Sequence, residues 1–258
     1  MSTWVLLRGL AREKRHWHGF PNQLVKELPD ARVVELELPG NGELNHLTSP
    51  LSIEGMASHC RGQLATLGIL PPYHLIAMSM GAMVATAWAV DHPEEIEACV
   101  LINTSFSTFS SVHQRLRPRA WWVLLRFLLT SCAMKREQLI FDLTSRLVAP
   151  SAPVIEAWVA IRRSRPVRTW NGLRQLIAAV RFRAPLTPPV KTLVLASAGD
   201  RLVNPCCSIE IARHWHCAIA IHPAAGHDLP LDDGTWVAKE LHDWIAWVGS
   251  FPKGPWIS

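Results

Sequence analysis

Three polar residues, Ser79, Asp200 and His227, each follow a short apolar run of the kind that forms a buried strand. Together these residue types can carry out nucleophilic catalysis. The imidazole takes the proton of the serine, and the carboxylate orients the imidazole and stabilises its charged form. Because the carboxyl ends of parallel strands meet at one edge of a sheet, residues that follow different strands can lie side by side. The set predicts a serine nucleophile with its base and its acid.

The serine lies at the centre of the segment Ala77–Gly81, which follows the apolar residues 73–76 and opens an alanine-rich stretch. Small residues two positions before and two after a serine allow a sharp, strained turn from a strand into a helix. The first turn of that helix would supply unpaired N–H groups near the hydroxyl. Taken alone, this pattern also fits chance or a plain helix cap, so the assignment depends on the acid and the base downstream.

Asp200 and His227 stand in glycine-containing loops beyond the β-branched runs 191–196 and 217–221. Either residue alone is commonly a turn or surface residue. Their joint placement after predicted strands favours catalytic roles. Other acids fit less well: Asp228 and Asp232 follow the histidine and are expected to shape its loop, and Asp91 and Asp142 fit less well still.

The order Ser, Asp, His along the chain resembles the α/β-hydrolase family, and its serine carboxylesterases in particular, over nearly the whole length. The resemblance implies an oxyanion hole formed by the backbone N–H groups of Leu10 and Met80. Relatives usually have His-Gly where this chain has Arg8 and Gly9, so Arg8 departs from the pattern and becomes a candidate substrate contact. A dehalogenase of this fold would carry Asp in place of Ser79, which argues against that class.

Strand-like runs alternate with helical stretches along the chain, which predicts an α/β fold with a doubly wound, mostly parallel sheet of about six strands. The antiparallel first strands common in the family are expected to be absent, because the first strand starts almost at Met1. The predicted strands are 3–8, 32–36, 73–78, 98–102, 191–196 and 217–222, and the predicted helices are 16–28, 52–68, 81–92, 205–215 and 233–249.

The interval between the fourth and fifth strands is too long for a single crossover. The resemblance implies a helical cap there, residues 110–186, inserted into a core formed by residues 1–109 and 187–258. Four helices are predicted within it, at Pro118–Ser131, Lys135–Leu147, Pro153–Arg163 and Thr169–Arg181.

Positive charge is concentrated in this interval. Residues 112–185 hold fourteen Arg or Lys and three acids, a net charge of +11; because the whole chain is +5, the remainder is −6. A basic cap predicts an acidic partner such as acyl carrier protein, although a solvated basic surface is the simpler alternative. The combination is similar to the pimeloyl-[acyl-carrier protein] methyl ester carboxylesterases of biotin synthesis. A general small-ester carboxylesterase, a lipase, a thioesterase and a non-catalytic binding protein remain alternatives.

A nearly continuous apolar run, residues 121–129, lies within the predicted cap. A run this apolar is usually buried, which predicts the inner wall of an acyl pocket. Candidate substrate contacts are therefore Trp121, Trp122, Leu125 and Phe141. The alternative is an exposed helix at a lipid interface.

Several function classes are disfavoured by composition. No segment reaches about 18 apolar residues, the minimum for a transmembrane helix. The chain begins directly with a core strand, so we expect no signal peptide and a cytoplasmic location. Nucleic acid is disfavoured because the arginines are not set in a known reader motif. No cofactor or metal is expected, because Cys206, Cys207, His214, His216 and Cys217 match no familiar four-ligand spacing.

Overall fold

The computed structural model describes residues 2–149 and 152–249. Its sheet has six strands, all parallel, in the order β2-β1-β3-β4-β5-β6. The prediction of a doubly wound, mostly parallel sheet of about six strands is confirmed. The strands are β1 (Ser2–Leu7), β2 (Ala31–Leu36), β3 (Tyr73–Met78), β4 (Ile96–Ile102), β5 (Lys191–Ser197) and β6 (Ala218–His222).

Helices connect these strands, and three short 3₁₀ turns accompany them at Lys14–Trp17, Gly42–Leu44 and Pro93–Glu95. The predicted helix 16–28 is divided, because the first of these turns precedes α1. The last helix begins earlier than predicted and is kinked at Asp233. The helices are α1 (Phe20–Glu27), α2 (Ile53–Thr66), α3 (Met80–Asp91), α4 (Val112–Arg115), α5 (Pro118–Leu129), α6 (Ala133–Thr144), α7 (Ala152–Ser164), α8 (Thr169–Arg181), α9 (Cys206–Trp215) and α10 (Leu229–Gly249).

Alternate residues of the strands build a separate apolar core on each face of the sheet, as the two-residue period of a strand requires. Val5 and Leu7 of β1 pack with α2, α3 and α9. Trp4 and Leu6 of the same strand pack with α1 and α10. The sheet is therefore covered on both faces, and its carboxyl-terminal edge is the place where loops can form a site.

Five helices, α4 to α8, lie between β4 and β5, and we call residues 112–181 the helical insertion. Part of it has a small core of its own, in which Phe141, Ile155, Trp158 and Ile161 are buried. No helix in the ranges 2–149 and 152–249 combines the length and the apolar character needed to cross a bilayer.

Candidate active site

Ser79 occupies a strained turn between β3 and α3, with φ 55° and ψ −120°. Two hydrogen bonds hold its backbone: its N–H donates to Ile102 O (2.9 Å), and Thr104 Oγ1 donates to its carbonyl oxygen (2.9 Å). Gly81 is needed beside it, because a Cβ there would lie 2.5 Å from Leu7 O. The small residue two positions after the serine thus lets α3 pack directly against the end of β1.

Asp200 and His227 form a buried pair beyond β5 and β6. Asp200 Oδ2 and His227 Nδ1 are 2.7 Å apart, and both side chains are buried. The other carboxylate oxygen, Oδ1, accepts the backbone N–H groups of Leu202 (2.7 Å) and Val203 (2.9 Å). These donors fix the plane of the carboxylate, so the acid can orient the imidazole as a catalytic triad requires.

The hydroxyl of Ser79 makes no hydrogen bond within the described part of the chain. The structure therefore joins the predicted acid to the predicted base and places the serine at the same edge of the sheet. Direct contact between Ser79 Oγ and His227 remains a prediction. Such contacts are often long in a ligand-free enzyme and shorten when substrate binds.

Asn103, directly after β4, connects the loops that carry the acid and the base. Its Oδ1 accepts the N–H of Ser197 (2.8 Å), while its Nδ2 donates to Ser197 Oγ (2.9 Å) and to His227 O (2.8 Å). Its φ is 45°, a left-handed conformation that asparagine tolerates. Sequence reasoning missed this residue, although its position after a predicted strand was a usable signal.

The predicted oxyanion loop lies against the serine. A Cβ on Gly9 would be 3.1 Å from Ser79 Cβ, so the turn passes close above the nucleophile. Outside the helices and strands of the described chain, no backbone–backbone hydrogen bond uses the N–H group of Leu10 or of Met80. The oxyanion hole formed by these two groups stays a prediction. Ala11, which follows Leu10, donates its N–H to Gln175 Oε1 of α8 (2.9 Å). The helical insertion thus supports this loop.

Arg8 is buried and forms a two-point ion pair with Asp228. Its Nη1 and Nη2 donate to Asp228 Oδ1 (3.0 Å) and Oδ2 (2.6 Å), and its guanidinium lies 4.8 Å from the ring centroid of Trp17. Only 3% of the Arg8 side chain is exposed, and its two Nη atoms are engaged by Asp228. A contact between Arg8 and substrate stays a prediction. Arg8 joins the oxyanion loop to the residue that follows His227.

The charge of Arg8 sets the protonation of its partner. Burial by itself raises the pKa of Asp228, but the guanidinium and its hydrogen bonds hold that pKa below the ordinary value of 3.8. Asp228 is thus an ionised carboxylate at neutral pH, and both of its oxygens accept hydrogen bonds from Arg8. The expectation that Asp228 and Asp232 shape the histidine loop agrees with these contacts, since Asp232 Oδ2 accepts the N–H of Gly226 (2.6 Å).

Four predicted substrate contacts in the helical insertion lie in two different environments. Phe141 is buried against Trp158, with ring centroids 5.8 Å apart, inside the insertion's own core. Trp121, Trp122 and Leu125 lie on the exposed side of α5. The prediction that this run is buried is wrong. Ala120 is the one fully buried residue of α5. The outer side of this helix is not covered by any other element of the described chain.

We expect Arg8→Met to lower the free energy of unfolding by about 3–5 kcal/mol, because Asp228 would be left as an unpaired buried charge. The change is measured by urea denaturation. Arg61→Met is the matched control: Arg61 also binds a carboxylate at two points, Glu95 Oε1 and Oε2, but it is one-third exposed. The loss there should be about 1 kcal/mol or less.

The double variant Arg8→Met/Asp228→Asn should recover part of the loss, since it removes both charges. The pH dependence gives a second check. Because the folded-state pKa of Asp228 is depressed, the stabilisation is complete above 3.8 and is lost as the pH falls below that value. Equal losses in Arg8→Met and Arg61→Met would show that the buried pair has no special role.

Comparison with known proteins identifies the family and the fold. Residues 4–240 match the Alpha/beta hydrolase family, and the chain belongs to that family. Among curated proteins, 105 residues are 35% identical to the biotin biosynthesis bifunctional protein BioHC of Teredinibacter turnerae. The match spans 40% of this chain and 17% of that relative's length.

Solved structures show the same fold. A thermophilic esterase from Thermogutta terrifontis is 22% identical with a TM-score of 0.73, covering 96% of this chain and 90% of that one. The 2-hydroxy-6-oxo-6-phenylhexa-2,4-dienoate hydrolase of Rhodococcus sp. strain RHA1 is 20% identical with a TM-score of 0.75, covering 95% and 90%. At these identities the likeness concerns the fold alone, and the chemistry must be argued from the residues of this chain.

Proposed function

We propose that this protein is a serine hydrolase that cleaves carboxylic esters, with Ser79 as nucleophile, His227 as general base and Asp200 as the orienting acid. The observation that carries the proposal is the buried Asp200–His227 pair, 2.7 Å apart, at the sheet edge where Ser79 occupies its strained turn. In such a pair the carboxylate holds the imidazole ring in a fixed orientation.

In the proposed reaction these residues act in sequence. Ser79 Oγ bonds to the carbonyl carbon while its proton passes to His227, and the carbonyl oxygen becomes an oxyanion. The N–H groups of Leu10 and Met80 stabilise that charge. The C–O bond then breaks, and His227 returns the proton to the departing alkoxide. Water, deprotonated by His227, attacks the acyl-enzyme, releases the carboxylic acid and restores Ser79.

Partitioning of the acyl-enzyme tests this function. Butyrate esters of p-nitrophenol, phenol and methanol should all be hydrolysed, and added hydroxylamine should divert part of the product to the hydroxamate. Because all three esters pass through one acyl-enzyme, the ratio of hydroxamate to acid should be the same for each. A ratio that changes with the leaving group would contradict a covalent intermediate, and absence of hydrolysis would contradict the function itself.

A narrower substrate is an acyl-[acyl-carrier protein] methyl ester of the pimeloyl type. The partial similarity to BioHC supports it, and so does the net charge of +11 on residues 112–185, which suits an acidic carrier. General carboxylesterase, lipase and thioesterase activities use the same residues and are separated by an ester and thioester panel. A non-catalytic binding protein would leave every substrate of that panel intact.

Salt dependence tests the carrier-linked substrate. The kcat/KM for a carrier-linked methyl ester should fall at least about tenfold between about 50 and 300 mM NaCl, because salt screens the attraction between carrier and insertion. The value for p-nitrophenyl butyrate, which is neutral, should change less than about twofold. Parallel salt curves for the two substrates would remove the carrier from the proposal and leave ester hydrolysis unaffected.

A further inference from the structure

Helix α5 presents an apolar face to solvent. Its exposed side chains are Trp121 (52%), Trp122 (71%), Leu125 (45%), Leu128 (61%) and Leu129 (79%). The other four residues lie one, four, seven and eight positions after Trp121. This spacing places all five on one side of an α-helix. A contiguous apolar stripe of this kind on a protein surface marks an interaction site rather than a scattered set of exposed residues.

The opposite side of α5 is already occupied. Ala120 is fully buried, and Phe127 lies beneath the guanidinium groups of Arg136 (5.3 Å) and Arg162 (5.1 Å). The helix is therefore held in the helical insertion by its inner side. Its outer stripe needs no rearrangement to become accessible.

The surroundings of the stripe are basic. Arg119, Arg126 and Lys135 are exposed on or next to α5. Of the three acids within residues 112–185, Glu137 is buried and binds Arg12 and Arg162, so it does not offset this charge at the surface. An apolar stripe carrying two tryptophans and bordered by cations has the composition of a helix that lies in a membrane interface.

We propose that the outer face of α5 docks onto an anionic lipid bilayer, with the tryptophan and leucine side chains inserted at the level of the headgroups and the cations bound to lipid phosphates. A second copy of this chain fits this face less well. A two-fold contact would bring the cations beside the stripe of one copy close to the same cations of the other. An acidic carrier protein would satisfy the cations, but attraction between charges alone does not cover the five apolar side chains. A bilayer supplies both partners.

Hydrogen bonds connect the start of the proposed docking helix to the candidate active site. Arg117, directly before α5, donates from Nη1 to Asp200 O (2.7 Å) and from its backbone N–H to Leu202 O (2.9 Å). The docking helix is thus bonded to the loop that carries the acid. The inference goes beyond ester hydrolysis, since binding requires the stripe and its charges but not the nucleophile.

Sedimentation with vesicles tests the proposal, with Ser79→Ala as the parent protein so that no lipid is hydrolysed. The parent should bind phosphatidylcholine vesicles containing about 30% phosphatidylglycerol at least about tenfold more tightly than pure phosphatidylcholine vesicles. Leu128→Glu/Leu129→Glu should lose at least about tenfold in affinity for the anionic vesicles. Trp170→Glu, which changes an exposed tryptophan of α8 (60%), is the matched control and should stay within about twofold. Thermal denaturation verifies that all variants are folded.

Three results would overturn the assignment. Failure of the parent to bind anionic vesicles would do so directly. Equal losses in the α5 and α8 variants would show that α5 is not the docking face. If the α5 variant instead loses affinity for an acidic carrier protein, or changes from dimer to monomer, while vesicle binding is unaltered, the face belongs to that partner. None of these results depends on hydrolysis, so the proposed function is tested separately.

Discussion

Ser79→Ala should reduce ester hydrolysis by at least about 10⁴-fold, with the loss in kcat, because the covalent step has no other nucleophile at the turn. The substitution should leave the fold intact. The Ser79 hydroxyl makes no hydrogen bond in the described part of the chain, and the φ of 55° strains alanine as it strains serine. The measurement is kcat and KM for p-nitrophenyl butyrate, with the thermal midpoint recorded for each protein.

Ser58→Ala is a suitable control, because Ser58 is exposed on α2, where its hydroxyl donates to Glu54 O (3.0 Å). It should retain full activity. If Ser79→Ala kept more than about one-hundredth of the kcat while folded, Ser79 would not be the nucleophile, and the activity would belong to another group.

Asp200→Asn should lower kcat by about 10⁴-fold, the order known for the equivalent change in serine proteases. The amide oxygen can still accept the N–H groups of Leu202 and Val203, so the side chain keeps its plane. Its NH₂ group then faces His227 Nδ1 and forces the proton of the imidazole onto Nε2. In that tautomer Nε2 cannot accept the proton of Ser79, so chemistry slows while KM changes little.

The molecule contains a matched control for this prediction in a second histidine–aspartate pair, His222 and Asp233, 3.4 Å apart. Asp233→Asn should change kcat by less than about threefold, because His222 has no nucleophile assigned to it. Similar losses in the two variants would indicate a general effect of removing acidic residues from this edge. A fully active Asp200→Asn variant would show that His227 needs no orienting acid.

Much of the fold followed from local patterns because the strands are short, apolar runs and the sheet is covered on both faces. The run 191–196 and the strand Lys191–Ser197 nearly coincide for that reason. The pairing of Asp200 with His227 was predictable as well, since residues that follow parallel strands reach the same edge. The order of the strands along the chain and their parallel direction are sufficient for this prediction, and no side-chain contact has to be known.

The remaining features depend on tertiary contacts that no local pattern encodes. Arg8 stands where a substrate contact was predicted, yet its partner Asp228 lies 220 positions further along the chain. The apolar run in α5 was predicted to be buried because hydrophobic composition usually indicates a core position. Whether a helix side faces a core or solvent depends on which elements pack on it, and the outer side of α5 receives none in the described chain.

The most direct measurement is to expose the wild-type protein to a fluorophosphonate and to locate the adduct by peptide mass spectrometry. An activated serine reacts with such a reagent, and an ordinary surface serine does not. We expect one phosphonate per chain, attached to Ser79, and greatly slowed labelling in Asp200→Asn. A folded protein that stays unlabelled, or that carries the phosphonate on another residue, would contradict the assignment of Ser79, His227 and Asp200 as a catalytic triad.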